Sequence, residues 1–258
     1  MVPVTIDGEQ AKLATITYKP EGNGPFPVLI FHHGSTGRGT SPATFATPYE
    51  PKALAAWFKA RGWAVVLPSR RGRGGSEGVY DEGFFTNREL GYTCEQERSL
   101  AGADRALRDI DAATAAILAM PFVDRSRFVV GGISRGGILS VAWSGRRPDE
   151  PRAVINFVGG WLGTGCSTAS FVNQSLFKRG VAWSHPSIWL YGEDDPFYPL
   201  AHSRQNFAAF QAAGSKGTFH EYKPPAGFNG HQISVVPALW EAEMEAYLAR
   251  RGLPAKAN

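Results

Sequence analysis

Short runs of apolar, β-prone residues alternate along this chain with longer segments whose apolar residues recur at helical spacing. The apolar runs predict strands near residues 4–6, 13–18, 27–32, 63–67, 128–130, 153–157, 187–191 and 218–222. The amphipathic segments predict helices near residues 50–61, 95–120, 138–143, 171–179, 201–213 and 235–251. Most strand runs are apolar throughout, which is typical of strands that are buried on both faces of a sheet.

Strands that alternate with helices predict βαβ units, and therefore a mostly parallel sheet covered by helices on both faces. We expect one three-layer α/β domain over residues 1–258, with eight strands in its sheet, because no linker or repeat interrupts the chain. In such sheets, functional residues gather at the carboxyl ends of the strands. Candidate chemistry is therefore expected in the loops that follow the strands.

Composition excludes several classes of function. Hydrophobic residues make up 43% and charged residues 19% of the 258 residues, as in a globular protein with a large core. No run of about 18 apolar residues is present, so no membrane partner is expected. The net charge of +4 is scattered and accompanies no nucleic-acid motif, so no nucleic-acid partner is expected either. The first residues do not form a signal-peptide pattern, which fits a cytoplasmic protein or an exported one whose signal was removed.

The most specific motif is Gly132-Ile133-Ser134-Arg135-Gly136, which lies between a predicted strand and a predicted helix. A G-x-S-x-G sequence in this context is typical of a nucleophile elbow, a sharp turn that lifts the serine hydroxyl above the sheet. Glycines are needed where such a turn leaves no room for side chains. We predict Ser134 as a nucleophile and the Arg135 amide, at a helix N-terminus, as an oxyanion donor.

A serine nucleophile needs a base, and the base needs an orienting carboxylate. Gly-Glu-Asp-Asp-Pro follows the strand at 187–191, and Gly-His lies in the loop after the strand at 218–222, which gives the chain order serine, acid, histidine. Asp195 is the predicted acid because Pro196 fixes the exit of its loop, with Asp194 and then Glu193 as alternatives. His231 is the predicted base.

His32-His33-Gly34-Ser35 ends the strand predicted at 27–32. An oxyanion hole needs a second donor, which usually comes from this loop, so we predict the Ser35 amide. The two histidine side chains are interpreted as braces of the loop. Arg70, Arg71 and Arg73 lie in a long glycine-rich loop, where they either bind a substrate carboxylate or hold the loop down by ion pairs.

Together, the His-Gly loop, the Gly-Ile-Ser-Arg-Gly elbow, the Tyr-Gly-Glu-Asp-Asp-Pro acid loop and the Gly-His pair resemble the α/β-hydrolase superfamily over nearly the whole chain. The chain is similar to the dienelactone-hydrolase-like branch. Dienelactone hydrolases proper carry cysteine as the nucleophile, whereas this chain has Ser134, which favours a serine esterase. Residues 71–78 also resemble the arginine-glycine loop of X-prolyl peptidase and cocaine-esterase relatives, whose extra domains have no counterpart in these 258 residues.

The resemblance implies an α/β-hydrolase fold that needs neither a metal nor a cofactor. A lid in this fold usually follows the strand at 153–157, but residues 158–186 have room for only one helix, so no large cap is expected. Four aromatic residues flank the catalytic loops and either line a substrate pocket or pack in the core: Trp161, Phe197, Tyr198 and Phe228.

Cys94 and Cys166 are the two cysteines of the chain, and both lie in loops that follow predicted parallel strands. Such loops leave the same edge of the sheet, so a disulfide between the two residues is sterically possible. The alternative is two free thiols, which are common in cytosolic proteins. A disulfide would favour an exported protein.

The predicted function is hydrolysis of a small-molecule ester by a carboxylesterase-like serine hydrolase, through an acyl-enzyme. The alternatives are a small peptidase or amidase with the same triad, and a non-catalytic binding protein of the same fold. The natural substrate and the oligomeric state stay open.

Overall fold

The computed structural model describes residues 1–37 and 40–257. Its strands are β1 (Val2–Ile6), β2 (Glu9–Leu13), β3 (Thr15–Tyr18), β4 (Phe26–His32), β5 (Ala64–Pro68), β6 (Val123–Ile133), β7 (Ala153–Phe157), β8 (Ser187–Gly192) and β9 (Gly217–Tyr222). Its α-helices are α1 (Pro42–Ala46), α2 (Lys52–Lys59), α3 (Gln96–Leu118), α4 (Arg135–Arg146), α5 (Ala169–Lys178), α6 (Leu200–Ala212) and α7 (Glu241–Arg250). Short 3₁₀ helices cover Arg88–Leu90, Gly230–Val235 and Pro237–Leu239.

The main sheet has seven strands in the order β3-β5-β4-β6-β7-β8-β9. β3 runs antiparallel to β5, and every other neighbouring pair is parallel. β1 and β2 pair in a separate antiparallel sheet. The predicted three-layer α/β fold with a mostly parallel sheet is confirmed, but its strands divide into seven and two rather than forming one sheet of eight.

The difference in strand count comes from the segment predicted as one strand at 13–18. The strand breaks at Ala14, so that β2 pairs with β1 while β3 joins the edge of the main sheet beside β5. β1 and β2 then bury Val2, Val4, Ile6 and Leu13 against Ala113 of α3. Alternating apolar positions in β1 are consistent with this one-sided burial.

Helices cover both faces of the main sheet. α3, α4 and α5 pack against one another on one face, while Trp57 of α2 and Phe157 of β7 pack against Trp240 on the other. The helix predicted at 235–251 is shorter than expected, because residues 237–239 form a separate 3₁₀ helix that begins at Pro237 and α7 begins only at Glu241. In the described part of the chain, no helix combines the length and the apolar character needed to cross a membrane.

The carboxyl ends of the parallel strands remain open above the sheet. Between β7 and β8, where a lid would insert, the described residues form only α5 and its loops, so the expected absence of a large cap is confirmed.

A disulfide joins the two cysteines across this open edge. Cys94 lies just before α3, Cys166 lies between β7 and α5, and their Cα atoms are 5.3 Å apart. The hydroxyl of Thr168 also donates to the carbonyl of Cys94. Closing a loop between residues 72 positions apart stabilises the fold by about 4 kcal/mol in the chain-entropy view. Of the two sequence alternatives, the structure therefore contains the disulfide rather than free thiols.

Candidate active site

Ser134 stands at a sharp turn between β6 and α4. Its backbone has φ +56° and ψ −123°, a conformation that residues with a side chain rarely adopt. The Ser134 amide donates to the carbonyl of Phe157 at 3.0 Å, while the Ser134 carbonyl accepts from the amide of Gly137 at 3.0 Å. The strand on one side and the helix on the other thus hold the residue in this strained turn.

The two glycines of the motif are required by contact with neighbouring backbone. A Cβ on Gly132 would lie 2.4 Å from the carbonyl carbon of Gly136, and a Cβ on Gly136 would lie 2.0 Å from the carbonyl oxygen of His32. Neither position has space for a methyl group. The strand–turn–helix geometry that the G-x-S-x-G motif predicts is therefore present at Ser134.

Asp195 lies in the loop after β8 with its carboxylate buried. One carboxylate oxygen accepts from the amides of Phe197 and Tyr198 at 2.8 and 3.0 Å. The other lies 2.9 Å from Nδ1 of His231. Because a carboxylate only accepts, Nδ1 carries the proton and Nε2 is free to act as an acceptor.

The neighbouring carboxylates Glu193 and Asp194 are exposed, and neither bonds to His231. The loops of Asp195 and His231 also meet backbone to backbone, since a Cβ on Gly230 would lie 2.3 Å from the carbonyl oxygen of Glu193. Of the three adjacent carboxylates, Asp195 is therefore the one that contacts the histidine.

His231 is the second residue of the 3₁₀ helix Gly230–Val235, which follows the loop after β9. The Asn229 side chain accepts from the His231 amide at 2.9 Å, and the Gln232 side chain accepts from the Asn229 amide at 3.0 Å. This reciprocal capping fixes the start of the helix. The ring edge faces Phe197, whose centroid is 4.8 Å away.

Ser134 and His231 line one cavity of about 190 Å³ at the carboxyl ends of the strands. Among the described residues, the lining consists of Gly34, Ser35, Gly37, Tyr49, Ile133, Ser134, Phe197, Tyr198 and His231. The Ser134 hydroxyl makes no direct hydrogen bond to His231. Contacts between a nucleophile and its base are often loose before a substrate binds.

The loop after β4 passes directly beside the serine. A Cβ on Gly34 would lie 3.0 Å from Cβ of Ser134 and 3.4 Å from its Oγ. Among the described residues, neither the Ser35 amide nor the Arg135 amide donates to another backbone carbonyl. Both of these predicted oxyanion donors therefore remain available to a ligand beside Ser134.

The four predicted pocket aromatics separate into three groups. Phe197 and Tyr198 line the cavity, whereas buried Trp161 lines an adjoining groove of about 680 Å³. Phe228 is 43% exposed and lines neither space, so neither alternative, pocket lining or core packing, holds for it. It lies in an exposed turn, in which its amide donates to the Pro225 carbonyl at 3.1 Å.

Burial raises the pKa of the Tyr198 phenol to about 12, and the neighbouring Ser134 hydroxyl offsets only part of this rise. Tyr198 is therefore a neutral phenol beside the candidate nucleophile at ordinary pH. Tyr49 and Ile133 line the same cavity. Tyr49 carried no sequence signal, because it lies in a loop between two helices and its contact with the site depends on the fold.

Two of the three arginines of the long loop make ion pairs with buried carboxylates. Arg70 binds the buried carboxylate of Glu82, Arg71 binds Asp109 at 2.6 Å, and the Arg73 guanidinium lies 5.2 Å from the centre of the Tyr80 ring. Of the two alternatives left by the sequence, Arg70 and Arg71 therefore hold the loop down. Burial alone would raise the pKa of Glu82, but Arg70 and Arg135 outweigh it and the pKa lies below its usual range.

The two histidines at the end of β4 behave differently. His33 accepts from the Arg70 amide at 3.0 Å through Nε2, and its Nδ1 lies 2.7 Å from the Gly34 carbonyl oxygen, as expected of a brace. Both ring nitrogens of His32 are buried without a partner among the described residues. The interpretation of His32 as a hydrogen-bonded brace is therefore wrong. Burial, with a smaller effect of Arg70, lowers the pKa of His32 to about 3.

The chain has the fold of the α/β-hydrolase superfamily. The family model described as X-Pro dipeptidyl-peptidase (S15 family) matches residues 7–223, and the chain belongs to this family. No relative with a curated description matches the chain. Family membership and fold together identify the chain as a hydrolase.

Several solved structures share the fold at low sequence identity. Est1E from Butyrivibrio proteoclasticus, solved with ferulic acid, is 16% identical with a TM-score of 0.66, over 96% of this chain and 100% of that one. The esterase Pf2001 from Pyrococcus furiosus is 17% identical with a TM-score of 0.65, over 96% and 88%. An acetyl xylan esterase from Paenibacillus sp. R4 is 18% identical with a TM-score of 0.65, over 95% and 83%. These likenesses establish the fold.

The buried, unpartnered His32 predicts a specific response to acid. Because its pKa is about 3 in the folded chain and about 6.5 when unfolded, the unfolded state gains a proton first as pH falls below about 6.5. Stability is therefore lost between these two pKa values, by up to about 1.4 kcal/mol per pH unit for this group. We expect His32→Leu to show a shallower fall in the free energy of unfolding between pH 6.5 and 5, measured by urea denaturation. Parallel curves for the two proteins would contradict the assignment.

Proposed function

We propose that the chain is a carboxylesterase-like serine hydrolase that cleaves small esters through an acyl-enzyme. The observation that carries this proposal is the 2.9 Å contact between Asp195 and Nδ1 of His231, in a histidine that shares a cavity with the strained Ser134. A serine on such a turn beside an oriented imidazole is the arrangement that nucleophilic catalysis requires.

Acylation begins when Ser134 Oγ attacks the ester carbonyl while Nε2 of His231 takes its proton. The buried Asp195 carboxylate holds the ring in the required tautomer and stabilises the imidazolium that forms. The amides of Ser35 and Arg135 donate to the oxyanion of the tetrahedral intermediate. The intermediate then expels the alcohol, which takes the proton from His231 and leaves the acyl group on Ser134.

Deacylation repeats these roles with water. His231 takes a proton from the water as its oxygen attacks the acyl carbonyl, and the same two amides bind the second oxyanion. Collapse breaks the bond to Ser134 Oγ, which regains its proton from His231, and a carboxylic acid leaves. The proposed cycle uses only the ester, one water molecule and the enzyme's own groups, so it needs no cofactor or metal.

A peptidase is the second candidate, and the name of the family favours it. An enzyme that releases dipeptides from a free N-terminus must bind an ammonium group, usually with a carboxylate. Within the described lining of the cavity no acidic side chain is present, and Glu89 is the acidic residue of the adjoining groove. The lining of the cavity favours a neutral ester, and matched p-nitrophenyl ester and p-nitroanilide substrates of one acyl group separate the two activities.

The Cys94–Cys166 disulfide supports a location outside the reducing cytosol, because disulfides persist mainly in the periplasm or in secreted proteins. We therefore infer an oxidising compartment for the folded protein. The partner proposed for the site is a small-molecule ester, with neither nucleic acid nor membrane involved.

The direct test is Ser134→Ala, assayed on p-nitrophenyl acetate. We expect turnover to fall by about a million-fold, because removal of the nucleophile leaves only the binding and oxyanion groups. The control is the thermal melt, which should show a folded protein, since alanine also lacks a long side chain at this turn. Retention of more than a few percent of the activity by the folded variant would contradict the proposal.

The small cavity predicts a preference for short acyl chains. A volume of about 190 Å³ cannot enclose a long chain, and between β7 and β8 only α5 and its loops stand where a cap would cover one. Each methylene that is buried contributes at most about 0.8 kcal/mol, so methylenes left outside gain nothing. Rates on p-nitrophenyl esters should be highest for acetate or butyrate; faster cleavage of the dodecanoate would contradict this.

A further inference from the structure

The Arg70 side chain runs beneath the loop that carries the Ser35 amide. Arg70 is 2% exposed, and its guanidinium donates to the carbonyl oxygens of His33 at 2.9 Å and Gly34 at 3.4 Å. Neither contact belongs to the triad. Both carbonyls, however, are part of the short segment that brings an oxyanion donor beside Ser134.

The Gly34 carbonyl and the Ser35 amide belong to the same peptide group. In a trans peptide the C=O and the N–H point in opposite directions, so fixing one fixes the other. The Gly34 carbonyl oxygen is held on one side by Arg70 and by Nδ1 of His33, at 3.4 and 2.7 Å. The Ser35 N–H is thereby turned to the opposite side, where Ser35 and Ser134 line the cavity.

His33 is held in the tautomer that this arrangement needs. Its Nε2 accepts from the Arg70 amide at 3.0 Å, so its proton is on Nδ1, which donates to the Gly34 carbonyl. Burial, reinforced by Arg70 and Arg73, holds the pKa of His33 well below its usual range. Arg70 thus acts on the Gly34–Ser35 peptide twice, through its own side chain and through His33.

Glu82 fixes Arg70 in turn. Its carboxylate accepts from Nε of Arg70 and, at 2.8 Å, from the Tyr80 hydroxyl. The Glu82 carbonyl accepts from the Arg135 guanidinium at 2.7 Å, and its carboxylate lies 3.5 Å from the same group. One buried residue therefore touches Arg70, which orients the first donor, and Arg135, whose amide is the second donor.

We propose that Arg70, held by Glu82, is a positioning residue that orients the Ser35 amide for oxyanion binding. The inference rests on the proposed function, in which that amide is one of two oxyanion donors. Loss of a whole donor costs about 10²–10³-fold in kcat in serine hydrolases. Misalignment of one donor should cost part of this, about 10- to 100-fold, and should act on the transition state rather than on the bound ester.

The neighbouring residue supplies a matched control. Arg71 lies in the same loop and also binds a buried carboxylate, that of Asp109. Its side chain reaches Asp7 and Asp109 and makes no hydrogen bond to the described part of the loop after β4. Arg70→Lys and Arg71→Lys therefore remove comparable guanidinium contacts, but only the first change removes contacts to the carbonyls of His33 and Gly34.

The experiment measures kcat and KM on p-nitrophenyl acetate, with the inhibition constant of phenylboronic acid, which forms a tetrahedral adduct on serine. We expect Arg70→Lys to lower kcat by about 10- to 100-fold with KM within about twofold, and to weaken boronate binding in parallel. The pH profile should keep its acid limb, because Asp195 and His231 are untouched. Arg71→Lys should leave kcat and KM within about twofold.

Glu82→Gln keeps the shape of Glu82 and should repeat the effect of Arg70→Lys on kcat. If Arg70→Lys does not fold, the kcat of Glu82→Gln tests the role of Arg70 in its place.

An unchanged kcat in folded Arg70→Lys and Glu82→Gln would overturn the inference, as would an equal fall in kcat for Arg71→Lys, which would indicate only a loosened loop. A different result, the activity of Ser134→Ala, tests the proposed function. If Ser134→Ala keeps its activity, the triad assignment is wrong; if Ser134→Ala is inactive while Arg70→Lys is unaffected, only the role of Arg70 is wrong.

Discussion

Ser134 keeps its left-handed backbone because the strand before it and the helix after it leave no other path. The turn is so tight that Gly132 and Gly136 touch each other and the carbonyl of His32, and a methyl group at either glycine would overlap backbone. A residue held in such a conformation costs of order 1–3 kcal/mol. Burial of β6 and α4 in the core offsets this cost, and the hydroxyl is thereby held above the sheet at the start of α4.

The parallel sheet brings the remaining groups to this turn. The loops after β4, β8 and β9 carry Ser35, Asp195 and His231, and all three strands end at the same edge as β6. The supporting contacts are close approaches at glycine, such as Gly34 beside the Ser134 side chain and Gly230 against the Glu193 carbonyl. Glycine at these positions is therefore a condition for the loops to meet, and the buried ion pair of Arg70 and Glu82 then sets the orientation of one loop.

Much of this arrangement could be predicted from the sequence. Continuous apolar runs located the central strands, and a glycine-flanked serine between strand and helix located the elbow. Pro196 favoured Asp195, which is the carboxylate that contacts His231. Each of these features involves only a few consecutive residues, so it can be recognised from the sequence alone.

Features that depend on distant contacts could not be predicted in the same way. Glu82 lies in an irregular loop, and only the fold brings it to both Arg70 and Arg135. Tyr49 reaches the cavity from a loop without periodicity, and Phe228 lies in an exposed turn outside the cavity lining. The chain breaks between β2 and β3 because β2 pairs with β1 whereas β3 pairs with β5. The apolar content of a segment does not indicate which strand it will pair with.

The central claim is that the fold activates Ser134 as a nucleophile. A fluorophosphonate probe reacts only with an activated serine, and mass spectrometry of the digested protein identifies the residue that carries it. We expect one adduct per chain, on the peptide containing Ser134, and a greatly slowed reaction in His231→Ala. An adduct on another serine such as Ser35 would rule out Ser134 as the nucleophile, and no adduct at all would favour a binding protein with a hydrolase fold.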